Sequence, residues 1–151
     1  MGNSKYGLSS LAKYALLLGS VLLAGCASFD HDWKKAAKQS TPPDDLQGRW
    51  QGGWASDVSH HTNSLRCIVT RQDNGIYRAR FHARYGKMLS FGYTVPLQVE
   101  PATNGFKFSG QANLHWYAGG IYKYEGHADA TNFFSTYSCK YDHGTFQMTR
   151  P

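Results

Sequence analysis

From Gly48 to the C-terminus, apolar and polar residues alternate with a period of two, interrupted by short clusters of Gly, Asn and Asp. Trp50, Gly52 and Trp54 share one face of a first strand, and Leu65, Cys67 and Val69 share one face of a second. Asp73-Asn74-Gly75 has the composition of a tight hairpin turn. In the third strand Tyr77, Ala79, Phe81, Ala83 and Tyr85 alternate with Arg78, Arg80, His82 and Arg84, which predicts one buried and one wet face. In the fourth, Leu89, Phe91, Tyr93, Val95, Leu97 and Val99 oppose Ser90, Gly92, Thr94, Pro96 and Gln98. Proline has no N–H to give a neighbouring strand, so Pro96 predicts a bulge or a local edge.

Asn104-Gly105 marks another turn, followed by Phe106 and Phe108, then Leu114 and Trp116. Gly119-Gly120 opens a strand with Tyr122, Tyr124, Gly126 and Ala128 on one face. Phe133, Ser135, Tyr137, Cys139 and Tyr141 follow, and Asp142-His143-Gly144 turns into a last strand with Phe146 and Met148. These are about eight short strands joined by short turns, the pattern of an all-β antiparallel up-and-down meander. A meander with one apolar face must close to hide that face and its edges, so a small barrel is expected, flattened if the cysteines are to meet.

Ahead of the alternation the chain has another character. Lys5 and Lys13 precede the apolar run Ala15 to Leu23, which is well short of the ~20 residues a membrane-spanning helix needs. Basic start, apolar core and small residues make 1–25 a secretory signal. The segment Leu23-Ala24-Gly25-Cys26 resembles the lipobox of bacterial lipoproteins. The resemblance implies cleavage before Cys26 and lipid attachment to its thiol, with more than one acyl chain giving durable membrane anchorage. By resemblance to Gram-negative lipoproteins, Ala27 in place of the Asp that marks inner-membrane retention implies the outer membrane, facing the periplasm or the cell surface.

Residues 26–47 then form a tether before the 48–151 domain. Asp30 and Asp32 precede Lys34, Lys35 and Lys38, an order that suits a short helix with Phe29, Trp33 and Ala36 or Ala37 as its apolar stripe. As a disordered spacer it would instead reach up to ~70 Å. Pro42-Pro43 ends any helix.

Gly48-Arg49-Trp50 resembles the Gly-x-Trp that opens lipocalins and related calycin barrels. The resemblance implies that a late basic residue packs over the tryptophan to close the barrel, which assigns that pair to Trp50 and Arg150.

Composition agrees with a β domain: aromatic residues make up 15% of the chain and charged ones 17%. The formal charge is +6, and within 48–151 Lys and Arg number 11 against 6 Asp and Glu. Such an excess suits anionic headgroups or polymers, and for an exported protein it is no argument for nucleic acid. Of the three cysteines, Cys26 is assigned to lipid, which leaves Cys67 and Cys139 for a disulfide in an oxidising compartment.

Candidate chemistry is sparse. His60-His61 lies in a polar loop without the Cys, His or Asp spacing of a closed metal site, so no metal or cofactor is expected. Asp142-His143 belongs to no Gly-x-Ser-x-Gly context, and Glu100 and Glu125 fall on different strands, so no enzyme activity is expected. The basic stripe Arg78, Arg80, His82 and Arg84 reads as a solvated face, with anion binding as its functional alternative. The inward aromatics Trp54, Phe81, Tyr85, Phe91, Tyr93, Trp116, Tyr122 and Tyr124 are the candidate binding residues for an apolar small molecule or lipid. Packed against one another, the same rings would fill a small barrel and leave a solid core. A site, if formed, has its mouth at the end carrying the 56–64 loop.

Overall fold

A computed structural model describes residues 28–40, 44–86, 89–116 and 119–151. The signal segment and Cys26 lie outside the described residues. One short helix, α1 (residues 28–36), precedes eight strands. These are β1 (Gly48–Ser56), β2 (Thr62–Arg71), β3 (Tyr77–Tyr85) and β4 (Leu89–Ala102), then β5 (Gly105–Asn113), β6 (Ile121–Ala128), β7 (Asn132–Ser138) and β8 (His143–Thr149). Each strand pairs antiparallel with the next, and β1 pairs with β8, so the meander closes into a barrel in simple sequence order. Closure removes the two edges that an open sheet of this length would expose.

The inward parity is as the alternation predicts. Leu65, Cys67 and Val69 of β2 and Tyr77, Ala79, Phe81 and Ala83 of β3 are buried, as are Val95, Leu97, Phe108, Tyr124, Phe133, Tyr137, Phe146 and Met148. Large rings need small residues opposite them in so narrow a barrel. Gly126 is one such place: a Cβ there would lie 2.5 Å from Phe108 Cζ and 2.2 Å from the Phe134 carbonyl oxygen.

One end is sealed. Trp50 is fully buried and tilts against Phe133 at 5.5 Å between ring centroids, and its indole N–H donates to the Leu46 carbonyl at 3.0 Å. Arg150 Cζ lies 3.8 Å from the centre of the Trp50 ring, and its guanidinium donates to the carbonyls of Asp45 and Gln47. The last residues of the chain thus pin the segment that leads into β1.

Two expectations are corrected here. Cys67 and Cys139 are both free thiols. Cys67 sits in mid-strand, level with Trp50 of β1 and Phe81 of β3, while Cys139 follows the end of β7. Strands β1 and β8 stand between β2 and β7, and the side chains that fill the closed barrel keep the thiols apart. Trp116 is not an inward strand residue either. Strand β5 ends at Asn113, whose side-chain oxygen accepts the His115 N–H at 2.9 Å, and His115 takes a left-handed φ of 67°. Trp116 therefore lies in a loop and is 86% exposed.

The outer face of β3 is not uniformly wet. Helix α1 lies across it: Phe29 is 1% exposed and stacks on His82 with ring centroids 4.8 Å apart. Asp30 pairs with Arg66 at 2.8 Å, and Asp32 pairs with Arg80, which also donates to Ser28. Residues 28–36 are thus a docked helix rather than an extended spacer.

Candidate functional site

The end opposite the Trp50 plug carries the connections β1–β2, β3–β4, β5–β6 and β7–β8. Among the described residues, eight large apolar side chains are exposed, and seven of them gather here. Val58 belongs to the first connection, and Tyr85, Leu89 and Phe91 flank the second. Trp116 and Ile121 belong to the third and Tyr141 to the fourth. The eighth, Ile76, is at the sealed end. Scattered apolar residues on a surface need no account, but their concentration on every loop of one end makes that end the candidate contact surface.

Pro96 adds a lateral feature. Strand β4 pairs with β3 from Leu89 to Leu97 but with β5 only from Leu97 to Ala102. Leu89 to Pro96 therefore have no β5 partner, and the wall between β4 and β5 is unpaired from Pro96 up to the mouth. The local edge expected at Pro96 is present, for the reason that proline has no ladder donor. Gly110 closes the paired part; a Cβ there would lie 2.5 Å from the Pro96 carbonyl.

Behind this unpaired stretch the interior is aromatic but carries hydroxyls. Tyr93 stacks on Phe91 at 6.0 Å and on Phe81 at 5.2 Å, and Tyr122 stacks on Tyr124 and Tyr137. The Tyr93 and Tyr124 phenols influence each other electrostatically, as do Tyr122 and the Cys139 thiol. Asp142 accepts from Ser56 at 2.6 Å and from Tyr137 at 3.1 Å, tying three strand ends together. Burial raises the pKa of all four phenols, Tyr93, Tyr122, Tyr124 and Tyr137, so each stays a neutral hydrogen-bond donor. A phenol raised in this way is no general base at neutral pH.

The proposed binding residues therefore divide. Phe81 and Tyr124, each 2% exposed, belong to the packed core. Trp54, Tyr93 and Tyr122 are half-buried on top of that core, with the Trp54 N–H donating to the Arg84 carbonyl at 2.9 Å. Tyr85 and Phe91 are rim residues, and Tyr85 packs between Trp54 and His61. Trp116 stands on the rim outside the barrel.

A second concavity is not encoded in the alternation. A groove of about 660 Å³ lies outside the barrel beside α1, lined by Asp30, Gln51, Ser64, Arg66, His82, Arg84 and Thr149. Its floor includes His82, 8% exposed, whose Nε2 is buried without a hydrogen-bond partner. Burial lowers the His82 pKa, and the Arg66, Arg84 and Arg80 guanidinium groups add to the shift. The available signal was the matching of Asp30 and Asp32 on the helix with Arg66 and Arg80 on the strands. Periodicity gives the face of each residue but not which elements meet.

Among the described residues no cluster of three His, Cys, Asp or Glu side chains is placed to hold a metal, and no helix is long and apolar enough to cross a membrane. Comparison with family models, with curated proteins and with solved structures finds no match to this chain.

Proposed function

We propose that this chain is a bacterial envelope lipoprotein, held at the outer membrane through acylated Cys26. Its barrel is a non-catalytic binding module for an apolar or lipid-like ligand. The observation that carries the reading is the apolar mouth: seven exposed large side chains at one end, beside a wall left unpaired above Pro96. The ligand sits at the mouth and the β4–β5 slit, because the middle of the barrel is filled by Phe81, Tyr124, Phe133 and Phe146. Phe91, Tyr93 and Tyr122 offer ring faces, and the Tyr93 and Tyr122 hydroxyls can orient a polar head. Ring faces beside hydroxyls suit amphiphiles.

The filled middle also favours a second reading, a solid-core module that contacts another envelope component through the same rim. Native mass spectrometry of the full chain, gently released from detergent, separates the two. A ligand carrier shows an added lipid-sized mass that Phe91→Glu removes. A bare mass under all conditions overturns the carrier and leaves the contact module. Membrane fractionation checks the anchor: Cys26→Ser should move the chain to the soluble fraction, and unchanged fractionation would refute lipid attachment.

A further inference from the structure

We infer that the apolar rim rests in the interface of the same bilayer that holds Cys26, with the β3–β4 side leading. This rests on the anchor reading above and goes beyond it by assigning the surface, the partner and the standoff. Were residues 26–47 a free spacer, the barrel could wander tens of ångströms from the membrane. Residues 28–36 are not free, because α1 is docked: Phe29 is buried on His82, Asp30 and Asp32 pair with Arg66 and Arg80, and Arg66 lies over the Trp33 ring at 5.3 Å. Only residue 27 separates Cys26 from Ser28, which Arg80 holds at 2.7 Å.

The lengths agree. Two residues of chain span at most ~7 Å. The interfacial layer adds ~5–7 Å on each side of the hydrocarbon. From Arg80 up β3 to Tyr85 is five residues at ~3.3 Å each, which a strand tilt of ~40° reduces to ~13 Å along the barrel axis. With its mouth toward the membrane, the barrel thus brings Tyr85, Leu89 and Phe91 through the interfacial layer to the hydrocarbon boundary, where acyl chains on Cys26 would begin. The side chains suit that depth. Tryptophan and tyrosine are enriched at membrane interfaces, where an apolar body meets a wet layer. Trp116 and Tyr141 are 86% and 62% exposed, Leu89 is 68% exposed, and Lys140 lies 5.1 Å from the Tyr141 ring centre, a cation beside the rim for anionic headgroups. A rim so placed also puts the β4–β5 slit beside its own source of lipid.

The test uses the full acylated chain in phosphatidylcholine–phosphatidylglycerol vesicles carrying brominated acyl chains. Sedimentation reports the anchor, and bromine quenching reports the rim. The quenched fluorescence should come from Trp116, disappear in Trp116→Phe, and be stronger for bromines near the interface than for deep ones. Asp30→Lys with Asp32→Lys releases α1 and should remove most of that quenching while the chain still sediments. A chain missing from the pellet overturns the anchor and the rim contact together. A sedimented chain with unquenched Trp116 overturns the rim contact alone and turns the rim toward a protein partner. Quenching that survives the double charge reversal refutes the role given to the docked helix.

Discussion

Phe29→Ala tests whether α1 is part of the folded unit. The ring is 1% exposed, stacks on His82 at 4.8 Å and Trp33 at 5.9 Å, and lies within 5.2 and 5.4 Å of the Arg66 and Arg80 guanidinium carbons. Burying a phenylalanine contributes ~1.5–3 kcal/mol. Each guanidinium contact at a partly exposed site adds ~0.5–1 kcal/mol. The Asp30–Arg66 and Asp32–Arg80 pairs are partly exposed, keep both partners in this variant and do not enter the sum. The substitution should therefore weaken docking by ~3 kcal/mol, roughly a hundredfold in its equilibrium constant. A helix this short does not persist in isolation, so undocking and melting of 28–36 occur together.

Hydrogen exchange should show lost protection over 28–36 and unchanged protection in β2 and β3. The pH dependence supplies an independent readout. Because burial depresses the His82 pKa below its ordinary 6.5, the docked state binds fewer protons than the undocked state. Docking stability from this group is fully present above pH 6.5 and declines as pH falls from there toward the depressed value. In Phe29→Ala the imidazole should titrate closer to 6.5, followed by its ring proton resonances, and the pH dependence of 28–36 protection should flatten. Protection of 28–36 as in the unsubstituted chain, or barrel strands opening together with the helix, would show that Phe29 does not hold α1 as a separable docked element.

Three further outcomes are expected. Arg150→Ala removes the cation from the Trp50 face and leaves the Asp45 and Gln47 carbonyls without their donor, which should cost ~2–4 kcal/mol in urea unfolding, with Arg150→Lys intermediate; equal loss in both variants would show that the planar fork is unimportant. Gly126→Ala forces a Cβ against Phe108 and the Phe134 carbonyl and should lower the melting temperature by an amount corresponding to ~1–3 kcal/mol, so an unchanged midpoint would contradict the tight inner wall. In the native protein Cys67 should resist alkylation, because it is fully buried and burial raises its pKa, yet both Cys67 and Cys139 should alkylate on denaturation without reductant; a linked 67–139 peptide would restore the disulfide.

Most of the barrel was legible from local chemistry. A strand turns successive side chains to opposite faces, so Tyr77, Ala79, Phe81 and Ala83 declare an inner face, and Asn74-Gly75 declares a turn, without reference to distant residues. Pro96 foretold the break in the wall because its missing N–H is a property of the residue itself. The Trp50–Arg150 contact came from a resemblance and is present at 3.8 Å. The errors share one cause. Parity assigned Cys67 and Cys139 inward, but whether two inward thiols meet depends on the closing order of strands that stand between them. Parity also assigned Trp116 inward, where the left-handed backbone at His115 had already ended the strand.

The order of side chains is enough for the strands, their faces, the turns and an antiparallel all-β meander, because each of these follows from interactions between near neighbours. What covers the outer face of β3, which aromatics fill the core and which stand on the rim, and the separation of the two thiols are settled in the closed barrel alone. Those outcomes depend on closure, which brings residues far apart in the chain to one end or one flank, and alternation carries no information about that. The apolar mouth and the helix docked beside it exist only once β1 has met β8.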